Sequence, residues 1–338
     1  MKIIVFGIGN TGKKFYDKVF DNSIDEVIAF SDNNDKLWNS FYKEIPIISP
    51  KRISQYSYDC IVVASIYDNE IILQLKEMGI TNLILTSNEY QRYAYTRKRY
   101  AEKYSCRELK KEKIFSKEIV VYTCITGEYD CLNDPLFFAP GIRYICFTNN
   151  KELKSDVWEM RYIFDENLDN MYLARYVKFF PNKYLEGFET SVWVDGKFQI
   201  IGDLREYVSV YQNDKPILCF PHFARKCIYE EAARCLVDGI GQKRKIIDQI
   251  TKYNGEAYPL DNGLYETGCI VRKHNDKSVI ALMNDWWDEL TSFSYRDQIC
   301  FPYVCWKNHF SPDISDQDIY KNEWLLCKRS YNKDMIKH

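Results

Sequence analysis

MKIIVFGIGNTGKKFYDKVF (1–20) opens with KIIVF (2–6), a short β-rich run. It then passes through three closely spaced glycines into TGKKFYDKVF (11–20), whose apolar residues recur at helical spacing. Gly7, Gly9 and Gly12 form a G-x-G-x-x-G pattern between a strand and a helix. There, glycines permit a tight turn and let backbone N–H groups approach a phosphate at the helix N-terminus. EVIAF (26–30) reads as a second strand, and Asp32 follows it, where an acidic group can hold a ribose hydroxyl. CIVVAS (60–65) and NLILT (82–86) are further strands, with EIILQLKEMG (70–79) between them as an amphipathic helix stopped by Gly79. Strands alternating with helices predict a parallel sheet covered on both faces. Residues 1–88 are thus expected to form a small Rossmann-like nucleotide-binding unit of about four strands.

The next stretch changes character. QRYAYTRKRYAEKYSCRELKKEK (91–113) holds nine Lys/Arg against three Glu, with Tyr93, Tyr100 and Tyr104 on one helical face. It reads as a basic linker helix within 89–117. Its tyrosine stripe either packs on a neighbouring domain or meets anionic lipid or phosphate.

A second domain is expected over 118–312. Its strands are IVVYTCI (119–125), RYICFTNN (143–150), SVWVDGKFQI (191–200), PILCFPHF (216–223) and CIVRKH (269–274). Its helices are ARYVKFFPNKYL (174–185), ended by Pro181, then KCIYEEAARCLVDGI (226–240) and a stretch over 278–290. Residues 313–338 read as a basic amphipathic tail, a weak signal for contact with a membrane surface.

Composition narrows the function. The formal net charge of -2 supplies no global field for nucleic acid. Twelve cysteines lie scattered, several inside apolar runs such as DCIVVAS and YICFT, with no C-x-x-C. That pattern fits buried free thiols in a reducing compartment better than disulfides or a zinc site. No stretch approaches the ~20 apolar residues that span a bilayer. The expectation is a cytoplasmic protein, or one peripheral to the inner face of a membrane. The 27 Tyr, 19 Phe and 7 Trp either enrich the core or supply surfaces that stack on sugar and base rings.

The chemistry-bearing residues cluster in the second domain. WVDGKF (193–198) puts Asp195 and Lys197 at the end of an apolar strand. Many enzymes that use nucleotide sugars carry Asp-x-Asp there, gripping a divalent metal that bridges the diphosphate. Lys197 replaces the second Asp, and a lysine can touch a diphosphate directly as a point charge. Asp195 is therefore the one metal-ligand candidate, and Mn or Mg dependence is open. Taken alone, V-D-G-K is equally a β-turn. Arg175 and Lys178 lie one turn apart on a helix face that either meets donor phosphates or is solvated. PHFARKCIYEEA (221–232) places His222 at a strand end and Arg225 three residues on. Glu266 lies before a strand, and Asp297 and Gln298 start an apolar helix, where Asp297 is either a site residue or a first-turn acid.

In order, YTCITGEYD, RYICFT, ARYVKFFPNKYL, VWVDGK, PHFARKCIYEEA, GLYETGCIVRKHN, WWDE and SYRDQICFPYVCWK resemble the TOD/MUCI-like glycosyltransferase-like family over residues 118–310. The resemblance implies a GT-A-like fold and transfer of a sugar from a nucleotide-sugar donor, most simply a UDP-sugar. It places Thr123, Thr126, Gly127 and Tyr129 at the nucleotide, and Asp195 and Lys197 at the diphosphate. His222, Arg225, Glu266, Asp297 and Gln298 would line the transfer site. Residues 1–88 resemble the N-terminal domains of sugar acetyltransferases of the PglD type.

The leading expectation is an α/β protein in which a Rossmann-like unit precedes a GT-A-like transferase. It would act on a growing bacterial surface polysaccharide or other glycan or lipid-linked glycan, as a monomer or an oligomer. Lys197 and Arg175 would meet the leaving diphosphate, and Asp297 or Glu266 would be the acceptor-side base of an inverting reaction. Two rivals stand beside it. One is an NAD- or nucleotide-sugar-dependent sugar-modifying enzyme centred on the N-terminal glycine loop. The other is a non-catalytic nucleotide- or sugar-binding module.

Overall fold

The computed structural model describes residues 1–105, 119–127, 131–139 and 141–328. The chain divides after Glu112 into two compact units.

In the first unit, β1 (Lys2–Phe6), α1 (Asn10–Lys18), β2 (Glu26–Ser31), β3 (Phe41–Tyr42) and β4 (Ile45–Ile48) are followed by β5 (Cys60–Val63), α2 (Asp68–Glu77), β6 (Leu83–Thr86) and α3 (Ser87–Ser105). The sheet order is β3-β4-β2-β1-β5-β6. All neighbours pair in parallel except the β3–β4 hairpin. This is the expected Rossmann-like arrangement with six strands instead of four. The missed hairpin turns at Lys43 and Glu44, both in the left-handed region (φ 48° and 68°) without the Asn or Gly that normally signals such a turn. Pro46 further disguises β4.

The basic helix expected as a linker begins at Ser87 and, in its described part, is built into this unit. Tyr90 and Tyr100 are buried, and the Tyr90 hydroxyl donates to Asp25 at 2.9 Å. Arg97 grips the same buried carboxylate through two bonds of 3.0 and 2.8 Å. Side-chain burial and a shared acid hold the described part of this helix in the first unit. Residues 106–118 lie outside the described residues, as does the Tyr104 side chain.

The second unit runs β7 (Ile119–Ile125), β8 (Arg143–Thr148), β9 (Glu159–Tyr162), α4 (Asn170–Phe179), β10 (Thr190–Val194), β11 (Phe198–Ile200), α5 (Leu204–Tyr211), β12 (Ile217–Pro221) and α6 (Ile228–Asp238). Then come α7 (Lys243–Gly255), β13 (Tyr265–Arg272), α8 (Lys277–Ser292), α9 (Asp297–Lys307), β14 (Asp313–Ile314) and β15 (Leu325–Cys327). The main sheet has the order β14-β12-β13-β10-β7-β8-β9. Strands β7, β8, β9 and β10 run in parallel, and β13 is antiparallel to both β10 and β12. The fold is mixed α/β with parallel-rich sheets. Strand alternation feeds two cores: Tyr122, Trp193 and Ile270 pack on one face with α4, α6, α8 and α9, whereas Val121, Val194 and Val271 pack on the other with α5 and β15.

Three local expectations change. SVWVDGKFQI is two strands, not one, because Asp195 to Lys197 form a turn closed by Phe198 N–H donating to the Asp195 carbonyl at 2.9 Å. β13 starts at Tyr265, so Glu266 lies inside the strand instead of before it. The start of the expected tail is structural: β15 pairs with β11, and Trp324, Leu325 and Leu326 are buried. Residues 329–338 lie outside the described residues.

Candidate active site

The topology gathers the chemistry at one sheet edge. Parallel strands end together, and an antiparallel neighbour begins where they end. The ends of β7, β10 and β12 therefore meet the start of β13, placing Thr126, Asp195, His222 and Glu266 along one edge. In open α/β sheets the carboxyl ends of the parallel strands are where ligands bind.

Asp195 leaves β10 on the helix-covered face. Its Oδ1 accepts Trp193 Nε1–H at 2.7 Å, and Lys178 Nζ lies 3.6 Å away. Lys197 Nζ stands 3.9 Å from Oδ2. Gly268 lies across from it, where a Cβ would come within 2.7 Å of the Phe198 ring and 3.2 Å of Asp195 Oδ2. Only glycine leaves that carboxylate its place. Burial works against the Lys197 charge, but Asp195 and neighbouring groups outweigh it, and its pKa is raised.

Lys178, carried by α4, is buried and donates to Asp297 Oδ2 at 2.6 Å. Thr267 Oγ1 donates to the same oxygen at 2.9 Å. Burial alone would raise the Asp297 pKa, yet the charges of Lys178, Arg175 and Arg296 hold it well below the usual carboxylate range. Asp297 is thus a fixed anion, unsuited to take a proton. Arg175 rests its guanidinium over the Tyr295 ring at 5.5 Å, and its buried Nε has no hydrogen-bond acceptor.

Glu266 is the opposite case. It is 1% exposed, and its Oε2 accepts Gln298 Nε2–H at 3.0 Å while Oε1 has no hydrogen bond. Burial pushes its pKa up to about 7, against the pull of Lys197 and Gln298 and with Asp195 and Glu231 adding to the rise. His222 faces Oε1 with Nε2 3.7 Å away. Backbone N–H groups of Ala224 and Arg225 donate to His222 Nδ1 at 3.2 and 3.1 Å, so the neutral ring carries its proton on Nε2. Burial lowers the His222 pKa, which favours that neutral form. The Arg225 guanidinium clasps Glu231 at 2.7 and 2.6 Å, Glu231 also accepts from Arg296 at 3.1 Å, and Arg296 reaches Gln298 at 2.8 Å. This chain of charges locks the shell behind Glu266.

The nucleotide-side residues are more dispersed. Thr126 Oγ1 donates to the Asn170 carbonyl at 2.6 Å, clipping the end of β7 to the start of α4, and Gly127 N–H donates to Asn149 Oδ1, just after β8, at 3.1 Å. Gly127 has φ +62° and a Cβ there would meet Asn170 Nδ2 at 2.6 Å. Thr123 is buried on the Val121 and Ile125 face, away from Asp195, and its hydroxyl has no partner. Tyr129 lies outside the described residues. Trp193, Thr267, Gly268 and Arg296 escaped the sequence reading of the site, whereas Glu231 lies in the PHFARKCIYEEA stretch read with His222. A hollow of about 480 Å³ over Phe138, Arg143 and Glu159 lies at the opposite edge of the sheet.

A divalent cation does not fit this donor set. Asp195 is flanked by two ammonium groups, and the neighbouring carboxylate, Asp297, is bound to Lys178 and Thr267. Among the described residues no group of three His, Cys, Asp or Glu could hold a metal ion.

In the first unit, Asp32 fastens the glycine loop. Its Oδ2 accepts Ile8 N–H at 2.9 Å and its Oδ1 accepts Asn34 N–H at 2.8 Å. Gly7 has φ +102°, and a Cβ on Gly12 would sit 2.0 Å from the Gly7 carbonyl oxygen. A Cβ on Gly9 would meet nothing within 4 Å, so that side of the loop is open.

Residues 157–331, more than half of the chain, match the model of the TOD1/MUCI70 glycosyltransferase-like domain. The chain belongs to that family. The TOD1/MUCI70 match takes in Arg175, Lys178, Asp195, Lys197, His222, Arg225, Glu266, Asp297 and Gln298, while β7 and β8 precede it. Residues 1–84 match the C2185-like N-terminal family in place of the expected PglD-type domain. No curated protein matches the chain. Among solved structures, the apo bifunctional glycosyltransferase WbbM is similar at 10% identity and a TM-score of 0.38, over 60% of this chain. The chain spans 39% of that structure's length, and the likeness is too loose to carry residue roles across. Among the described residues no helix is long and apolar enough to cross a membrane.

Proposed function

We propose that the second unit transfers a sugar from a nucleotide-sugar donor to a hydroxyl of a glycan or lipid-linked glycan, with a GT-A-like site at the edge formed by β10, β12 and β13. The observation that carries this reading is the pairing of a cation-flanked Asp195 with a buried, proton-ready Glu266 in one TOD1/MUCI70 domain.

The chemistry follows from the charges. Lys197 and Arg175 face the diphosphate as it departs with the bonding electron pair. Lys178, neutralised by Asp297, fixes the floor on which Asp195 stands. The acceptor oxygen bonds to the anomeric carbon and its proton passes to Glu266 Oε1. A carboxyl with a pKa near the working pH is the most effective such base. A single displacement of this kind inverts the anomeric centre. UDP-sugars are the first donors to test, and a bacterial surface polysaccharide assembled on the cytoplasmic side of the membrane is the setting we favour. Glu266→Gln should lower kcat at least ~10²-fold with little change in donor binding. Retention of full transfer by that variant would remove Glu266 from the mechanism.

A second site is favoured by the open side of Gly9: the first unit binds a nucleotide phosphate at the start of α1. Titrating the full chain with NAD and nucleotide sugars, with Gly9→Val as control, tests it.

A further inference from the structure

We propose that the donor diphosphate is held by the chain's own cations, Lys197 and Arg175 on a base set by Lys178, without a divalent metal ion. The inference rests on the transferase reading and adds how its donor is recognised.

Two protein-borne ammonium groups already occupy the surroundings of the carboxylate that a metal would need. Lys178 Nζ lies 3.6 Å from Asp195 Oδ1 and Lys197 Nζ 3.9 Å from Oδ2. A magnesium ion binds oxygen at ~2.1 Å and keeps several waters. Seated on Asp195 it would press against both ammoniums, and the packing of Gly268 closes another side. Nor does Asp297 offer a free second carboxylate. Asp297 is bound at 2.6 Å by Lys178 and at 2.9 Å by Thr267, and releasing it would strand a buried lysine.

The cations are placed in advance. Lys197 Nζ stands 5.2 Å from the Phe198 ring centroid and 5.9 Å from that of Tyr320, and Lys178 Nζ lies 5.6 Å from Trp193. Rings on these flanks hold the ammoniums in orientation, and Lys178 is buried from water; charges fixed in advance stabilise a leaving anion best. Arg175 adds a planar guanidinium suited to bidentate phosphate contact. Lys178, Lys197 and Arg175 against Asp195 and Asp297 leave one positive charge, which a diphosphate complements.

The test is isothermal titration of the full-length protein with UDP, GDP, CDP and ADP, in EDTA and again in manganese chloride. The expected result is one preferred nucleotide whose Kd agrees within about twofold between buffers. Lys197→Met should weaken it at least about tenfold in both. The Lys197 side chain is 38% exposed, so this variant should fold, and a melting curve confirms it. Lys197→Asp, which rebuilds Asp-x-Asp, should lose binding in EDTA and regain it in manganese. Wild-type binding seen only with manganese would overturn the inference and leave the transferase reading standing. Binding in both buffers that ignores Lys197→Met and survives Gly9→Val would overturn the role of Lys197. Binding in neither buffer would overturn the transferase reading and the inference together.

Discussion

Glu266 and Asp297 carry the same functional group and have opposite surroundings. Burial without a counter-ion bond raises the one to about 7, while a lysine at 2.6 Å and two arginines keep the other ionised. If Glu266 is the base, kcat/KM should climb with pH through about 7, and the limb should vanish in Glu266→Gln. The same group has a stability signature. Its folded pKa lies above the ordinary 4.5, so folding favours its protonated form, and its penalty is absent below the ordinary value and complete once pH exceeds about 7. Relative to wild type, Glu266→Gln should therefore gain melting temperature as pH is raised from 5 to 8. A constant difference across that range would place the shift elsewhere. Glycines separate structure from binding in the same way. Gly12→Ala should destabilise the first unit by about 1–3 kcal/mol because its Cβ meets the Gly7 carbonyl, whereas Gly9→Val should leave it folded.

At the scale of elements, the Lys178–Asp297 pair ties α4 to the start of α9 across 119 positions of sequence. Removing one partner strands a buried charge, so Asp297→Asn should cost about 3–5 kcal/mol, and the double variant Lys178→Met/Asp297→Leu should recover much of that in chemical denaturation. A double-variant loss equal to the sum of the Lys178→Met and Asp297→Leu single losses would mean the pair is not coupled. Such pairings also mark where sequence reading stopped. Helices α6 and α8 were legible because their signals are local: Asp276 caps α8 through Ser278 N–H, and Gly239 ends α6 in the left-handed region, whereas α5 and α7 went unread. The D-G-K turn was legible as an alternative, and a turn is what Asp195 to Lys197 form. The short strands β3, β14 and β15 were not, since two- and three-residue strands take their identity from distant partners. Lys178 could be read as a phosphate contact on a helix face, but its burial against Asp297 could not, because nothing local links the two.

For the whole molecule, the blocks from ARYVKFFPNKYL to SYRDQICFPYVCWK were read from sequence and lie within the TOD1/MUCI70 match, YTCITGEYD and RYICFT precede it, and the N-terminal kinship was not anticipated. The glycine loop reads in sequence as a phosphate site, but the carboxylate expected at a ribose is fastening Ile8 and Asn34. If both proposed sites take up a nucleotide, a binding experiment mixes the two, and turnover separates them better than affinity does. The most direct measurement is release of nucleoside diphosphate from a panel of nucleotide sugars by the full-length protein, comparing wild type with Asp195→Ala, Glu266→Gln and Gly9→Val. The account predicts turnover of one donor, lost by at least ~10²-fold in the first two variants and unchanged in the third. Turnover that survives Asp195→Ala and Glu266→Gln but disappears in Gly9→Val would contradict it and move the chemistry to the first unit.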